Sequence, residues 1–141
     1  MENEPRIEVL PWEKARAHAA PIRLRVFVEE QGVPPEIELD DMDAASIHVL
    51  VFEVQTPVGT ARLLPDGHIG RMAVLKPWRG RGIGGRMLSA LLEQARRRGD
   101  REVALSAQVH ALGFYRAHGF VEEGDEYMEA GIRHQAMRRV L

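Results

Sequence analysis

A mixed α/β sheet covered by helices on both faces is the fold class this sequence predicts, on three observations. The segment IHVLVFEV, from Ile47 to Val54, is β-branched and apolar on both faces at its centre, as a strand buried from both sides must be. From Ile83 to about Arg98 the apolar residues fall at helical spacing, with Ile83, Met87, Leu91 and Ala95 on one stripe and Leu88 and Leu92 beside them. The order of segments is a strand, a helical region, three strands, a helix, a strand, a short helix and two strands, which is not the strict alternation of a parallel sheet.

Taken in order, RIEVL is a short strand that Pro11 ends. Apolar residues then recur at three- and four-residue steps from Trp12 to about Gln31, and Pro21 divides this region into two helical pieces. GVPPEIELDDMDAAS, rich in proline and carboxylates, is a loop. After IHVLVFEV, QTPVG is a turn and TARLLP the return strand of a hairpin; a second turn at Asp66 and Gly67 leads into the strand HIGRMAVL. Gly99 closes the long helix. REVALSAQ is a strand, HALGFYRAH a short helix ended by Gly119, FVEEGDEYME a strand with a turn, and IRHQAMRRVL the final strand. One domain spanning residues 1–141 accounts for the chain, because 141 residues with 45% apolar and 28% charged content suffice for one core.

Composition excludes several function classes. The absence of cysteine removes disulfides, thiolate metal sites and cysteine nucleophiles, and a cytoplasmic location is expected. The start, MENEPRIEVL, is acidic, and no run is apolar and long enough to cross a bilayer, so no membrane partner is expected. A net charge of -2, from 19 basic and 21 acidic residues, argues against a nucleic-acid partner. The charge is uneven: EIELDDMD, Glu36 to Asp43, holds five carboxylates, while RGRGIGGR and RRRGDR are basic, the latter read as a solvated face. No metal is expected, since no histidine pair has H-E-x-x-H spacing and ELDDMDAAS lacks the glycine and terminal glutamate of a calcium loop.

The chemistry is concentrated in RGRGIGGR, Arg79 to Arg86. Glycines between a strand and a helix let backbone N–H groups approach an anion, and the helix N-terminus adds unpaired donors and a favourable dipole. Gly80, Gly82 and Gly85 satisfy G-x-G-x-x-G. A dinucleotide site, however, also needs an acidic residue ending the next strand, and REVALSAQ has none there. A nucleotide triphosphatase loop needs Lys and Ser or Thr after the last glycine, where Arg86 and Met87 stand.

The longer stretch MAVLKPWRGRGIGGRML resembles the signature of the GCN5-related N-acetyltransferases (GNAT family), with Arg79, Gly82 and Gly84 at the positions of R/Q-x-x-G-x-G/A and Pro77 in the preceding turn. ALGFYRAHGFVEEG resembles the family's second helix, with Tyr115 on its usual tyrosine. VFVEEQGVPPEIELDDMD, SAQVHALGFY and the terminal GIRHQAM resemble the ElaA and YjcF branch. The resemblance implies a central, mostly antiparallel sheet of six to seven strands with a V-shaped splay. It also implies acetyl-CoA as co-substrate, with Met72, Ala73 and Val74 along the pantetheine, and Arg79, Gly80, Arg81, Gly82, Ile83, Gly84 and Gly85 at the pyrophosphate. The N–H of Ala73 or Val74 would then face the thioester oxygen.

The implied reaction is direct acetyl transfer to a primary amine of a small molecule or protein. Such an amine is protonated in neutral water, so a base is required. Glu30, in VFVEEQ, is the first candidate, with Glu29 and the carboxylates from Glu36 to Asp43 behind it, although each taken singly reads first as solvated surface. Tyr115 is the candidate acid for the leaving thiolate, and Tyr127 is assigned to packing. His110, beside the implied slot, is a candidate for substrate binding or proton transfer, and His134, in GIRH, is a candidate substrate-site residue. The alternative function is a non-catalytic acyl-CoA-binding or sensing module. A homodimer paired through an exposed terminal strand is a further expectation.

Overall fold

Strand β2 (Ile47–Glu53) shows why helices flank both sides of the sheet. Its residues alternate between two cores, Val49 and Val51 joining one with Met87, Leu88 and Leu91, Leu50 and Phe52 joining the other with Ala15, Ala19 and Ile22. The first core lies under helix α3 (Ile83–Arg98) and the second under α1 (Trp12–Arg23). The computed structural model describes residues 4–38 and 40–141; Met1 to Asn3 of the acidic start and Leu39 of the acidic loop lie outside them.

The other strands are β1 (Arg6–Pro11), β3 (Thr56–Leu63), β4 (His68–Val74), β5 (Glu102–Gln108), β6 (Val121–Glu129) and β7 (Ile132–Val140). They form one seven-stranded sheet in the order β1-β2-β3-β4-β5-β7-β6. The hairpins β2–β3, β3–β4 and β6–β7 are antiparallel, as are β1 with β2 and β5 with β7 across longer connections, whereas β4 and β5 run parallel because α3 carries the chain back between them. The mixed, mostly antiparallel architecture expected from the sequence is therefore the observed one.

The feature that positions the site is the short reach of the β4–β5 pairing, which comprises His68 with Ala104 and Ile69 with Leu105. Just beyond it, two β4 residues, Arg71 and Met72, oppose Ala61 alone on β3. Arg71 takes a left-handed φ of 50° in this bulge. A bulge adds a residue on one side and sharpens the local twist, so β4 turns away from β5 and the sheet opens.

Several sequence expectations are refined. The region after Trp12 does consist of two helical pieces, but the change comes at Leu24, beyond Pro21, where α-helical winding gives way to π-helical winding over Leu24–Glu30. The QTPVG turn is shorter than expected: β3 begins at Thr56, leaving the turn to Val54 (φ 59°) and Gln55. FVEEGDEYME keeps strand pairing on both sides of an irregularity between Glu123 and Tyr127.

The acidic loop is the largest correction. It contains a helical turn, α2 (Pro35–Glu38), and a 3-10 turn, Asp43–Ala45, and its carboxylates are not a solvated cluster. Buried Arg23 bonds Glu38 and Asp43, the latter at 2.7 Å, and buried Arg62 bonds Asp43 at 2.9 Å and Asp40 at 2.7 Å with both terminal nitrogens. Arg71 reaches the Glu38 carbonyl and, at 3.3 Å, Asp40. His48, fully buried, donates Nε2–H to the Asp43 carbonyl at 2.9 Å, and burial keeps its pKa low and the ring neutral. Three arginines thus balance three carboxylates.

Pairing with Arg62 lowers the Asp40 pKa from 3.8 to about 2. Its stabilising contribution is complete above the unfolded value of 3.8 and is lost as pH falls through the folded value of about 2. Asp40→Asn should therefore be less stable than the native chain at neutral pH, with the gap closing in acid. Urea denaturation at a series of pH values checks this, and a gap independent of pH would refute it.

Candidate active site

Where β4 leaves β5, the gap between them opens into a cleft of about 840 Å³. Met72, Ala73 and Val74 of β4 form one wall and Leu105, Ser106 and Gln108 of β5 the other. The π-helical segment contributes Val26, Phe27 and Glu30, and the wider winding there brings these residues and Gln31 to the cleft. Gln31 and Gln108 exchange side-chain amide bonds of 2.8 and 3.3 Å, tying that segment to the end of β5. Past Ile69, β4 has no strand partner on its β5 side among the described residues, so its main chain can receive an extended ligand.

One end of the cleft meets the glycine loop through Arg79 and Gly84. Gly80 and Gly82 adopt φ of 78° and 80°, a conformation costly for other residues, and an added Cβ at either would meet nothing within 4 Å. Gly82 is the N-cap of α3 and supplies no side-chain cap; the first helical bond is Arg86 N–H to the Gly82 carbonyl. The N–H groups of Ile83, Gly84 and Gly85 thus head the helix uncapped, as an anion site requires. Ile83 contributes only main chain, since its side chain is core. Gly82 and Gly85 also border a shallower hollow with Arg86 and Ser89. Arg81 lies over the Trp78 ring, 4.9 Å from its centroid.

Arg79 is engaged within the protein. Its Nε–H donates to the Val74 carbonyl at 2.8 Å, and its two terminal nitrogens bond Glu30 at 2.6 and 2.7 Å. The same pairing lowers the Glu30 pKa. Glu30 therefore lines the cleft as the partner of Arg79, and a carboxylate held in this way is a poorer proton acceptor. Glu30→Gln is expected to lower turnover less than about tenfold, the cost of a half-exposed ion pair. A loss of a hundredfold would restore Glu30 as the base.

Helix α4 (Leu112–Ala117) packs against the head of α3, where a Cβ on Gly84 would sit 3.4 Å from the Phe114 ring. This contact places Tyr115 in the cleft, its hydroxyl 3.7 Å from the Met72 sulfur. Burial pushes the Tyr115 pKa up to about 12. His110, on the 3-10 turn Val109–Ala111, lines the cleft but is exposed.

At the far end lie residues that sequence reasoning underrated. The registers Gln108↔His134 and Tyr127↔His134 put one face of β5, β7 and β6 along the cleft, with Ser106, Gln108, Ile132, His134 and Glu129 as lining. Tyr127, expected only to pack, stacks on His134 with centroids 6.0 Å apart and bonds the Ser106 hydroxyl across β7. The alternation of Tyr127, Glu129, Ile132 and His134 was the available signal; that this face borders the cleft depended on the splay.

Comparison with known proteins agrees with this geometry. The acetyltransferase (GNAT) domain family matches residues 16–141. The chain is 38% identical over 122 residues to the uncharacterized N-acetyltransferase YjcF of Bacillus subtilis, covering 84% of this chain and 87% of that protein. Among solved structures, Escherichia coli ElaA superposes with a TM-score of 0.86 at 28% identity, covering 96% of this chain and 99% of the other. An acyl-CoA N-acyltransferase from Pseudomonas aeruginosa gives a TM-score of 0.86 at 29% identity with the same coverage, 96% and 99%. The splayed sheet with an uncapped helix at the mouth of its cleft defines a GNAT-type acyltransferase fold. This chain belongs to the GNAT acetyltransferase family.

Proposed function

We propose that the protein transfers the acetyl group of acetyl-CoA to a primary amine by direct attack, without a covalent enzyme intermediate. The observation that carries this reading is the cleft between β4 and β5, which joins a free strand edge to the uncapped head of α3. The residues fit the donor: the edge of Met72 to Val74 suits an amide-bearing arm, and the open space beside Gly80 and Gly82 suits a diphosphate. Acetyl-CoA would supply an activated thioester. The chain would align it along β4, offer the N–H of Ala73 or Val74 to the carbonyl oxygen, and offer the Tyr115 hydroxyl to the departing sulfur.

The acceptor end is bordered by the balanced charge network of Glu38, Arg62 and Arg71 and, opposite, by Glu129. An amine there meets a carboxylate on the β6–β7 hairpin. A cytoplasmic setting is part of this reading. Pairing of a second copy along β6 is its weakest element, because that edge carries Glu122, Glu123, Asp125, Glu126 and Glu129 and an irregularity at Gly124.

Free-thiol release from acetyl-CoA over a panel of primary amines tests the function. Turnover with at least one amine is expected. Tight coenzyme A binding without turnover of any amine would favour the sensing module instead.

A further inference from the structure

We propose that His134 is the base that takes the proton from the acceptor amine, with Nε2 as its reactive nitrogen. The inference rests on the acetyltransferase reading above and assigns the one role in that reaction left open there.

The tautomer follows from one contact. His134 Nδ1 lies 2.8 Å from the Ile132 carbonyl, and a carbonyl oxygen only accepts, so Nδ1 carries the proton. In the neutral ring the lone pair is then on Nε2. No described group bonds Nε2, yet it is not sealed away: among the described residues, the one fully buried side-chain nitrogen or oxygen without a partner is Arg62 Nε. Nε2 is therefore not fully enclosed, and His134 lines the cleft.

The ring is also held in place. Tyr127 stacks on it at an interplanar angle of 23°, and the Tyr127 hydroxyl is anchored to Ser106. His134 is otherwise buried, with 6% of its surface exposed. A base whose second nitrogen is fixed by a carbonyl and whose face is covered by an aromatic ring keeps one direction for its lone pair.

Of the other titratable groups along the cleft, Glu129 and His110 are exposed and no hydrogen bond or ion pair among the described residues orients them, and the rest are committed elsewhere. Glu30 is paired with Arg79, and Glu38 with Arg23. Burial keeps Tyr115 protonated. His68 pairs with Asp66 at 3.0 Å.

The step balances as follows. The ammonium form of the acceptor gives one proton to Nε2, which passes it to solvent. The neutral nitrogen then attacks the thioester carbonyl carbon, forming the C–N bond. The carbonyl oxygen, held by the β4 N–H, returns its electron pair as the C–S bond breaks, and the sulfur leaves with the bonding pair. The second proton on nitrogen compensates the thiolate, with the Tyr115 hydroxyl donating to the sulfur. The products are the acetamide, coenzyme A with its thiol restored, and one released proton.

The test uses the whole chain, acetyl-CoA, and methylamine, ethanolamine, spermidine, glycinamide and lysine as acceptors. His134→Asn places an amide N–H where Nδ1 stood and can keep the bond to the Ile132 carbonyl, but it has no Nε2. The expected result is a kcat at least about a hundredfold lower, the range of a positioned base, with KM for acetyl-CoA within about twofold. Native-like kcat in His134→Asn would overturn the proposal by assigning His134 a structural role. Should this variant fail to fold, carbethoxylation of the native protein with diethyl pyrocarbonate, mapped by mass spectrometry, decides. Loss of turnover should track modification of His134, and full activity with His134 modified would overturn the assignment. Failure of the native protein to acetylate any acceptor overturns the acetyltransferase reading itself, whereas an active native protein with an equally active variant overturns only the base.

Discussion

Gly82→Val should lower the affinity for coenzyme A at least about a hundredfold while costing the fold only a few degrees of melting temperature, because the loss comes from two or three charge-assisted hydrogen bonds of about 1.5–3 kcal/mol each. Gly82 sits at φ 80°, ψ 9°, and a Cβ there projects into open space, not into the protein. The folded chain would therefore bear the left-handed strain, about 1–2 kcal/mol, without a packing clash. A ligand diphosphate seated on the Ile83, Gly84 and Gly85 N–H groups needs the space the valine would fill. Gly99→Val is the matched control. Gly99 ends the same helix in the same left-handed conformation, φ 89°, also with nothing within 4 Å of a built Cβ. Calorimetric titration with coenzyme A should show lost affinity for Gly82→Val alone. Equal affinities in the two variants would remove the diphosphate from the head of α3.

This matched pair depends on helix ends that are legible in the sequence alone, because the signals at both termini are local. The apolar stripe from Ile83 to Ala95 and the flanking Gly82 and Gly99 define the sixteen-residue α3 from one contiguous stretch. The same holds for β2, whose two-sided apolar centre required cover on both faces. The acidic loop was misread for the opposite reason. Its partners, Arg23, Arg62 and Arg71, lie 15 to 33 residues away in sequence, and nothing local in EIELDDMD shows that Glu38, Asp40 and Asp43 are held by arginines. An isolated run of carboxylates looks solvated, whereas the fold makes it a balanced network that fixes the segment beside the acceptor end of the cleft.

The candidate site divides along the same line. Arg79, Gly82 and Gly84 were readable because one contiguous motif holds them. The neighbourhood VFVEEQ points to Glu30, but its chemistry is set by Arg79, 49 residues away. The orientation of His134 is set locally, by Ile132 two residues earlier, but its place beside the cleft comes from β7 inserting between β5 and β6. The proposed donor end of the site thus rests on a local motif, and the proposed acceptor end on long-range pairing.

Tyr115→Phe should lower kcat about a hundredfold, the scale of a lost general-acid contact, and leave the KM for acetyl-CoA and the stability nearly unchanged. The hydroxyl's protein contact is a thioether sulfur at 3.7 Å, a weak acceptor that tolerates losing its donor, and the ring keeps its packing against Phe114 and Phe120. A pKa of about 12 keeps the proton on Tyr115 throughout the working range. Full transfer to a thiolate with an ordinary pKa of about 8.5 would be uphill by roughly 5 kcal/mol, at about 1.4 kcal/mol per unit. In the proposed reaction the hydroxyl would therefore act chiefly as a hydrogen-bond donor that lowers the charge on the leaving sulfur, while the proton lost by the acylated nitrogen would complete the transfer. The sign for pH is fixed by the same value: ionisation of Tyr115 removes the donor, so its effect on rate enters only as pH rises towards about 12. A native kcat profile with a falling limb between pH 8 and 10 that disappears in Tyr115→Phe would contradict this, as it requires a phenol ionising at least about two units lower. Unchanged kcat in Tyr115→Phe would return the residue to packing and leave the sulfur to be protonated by solvent.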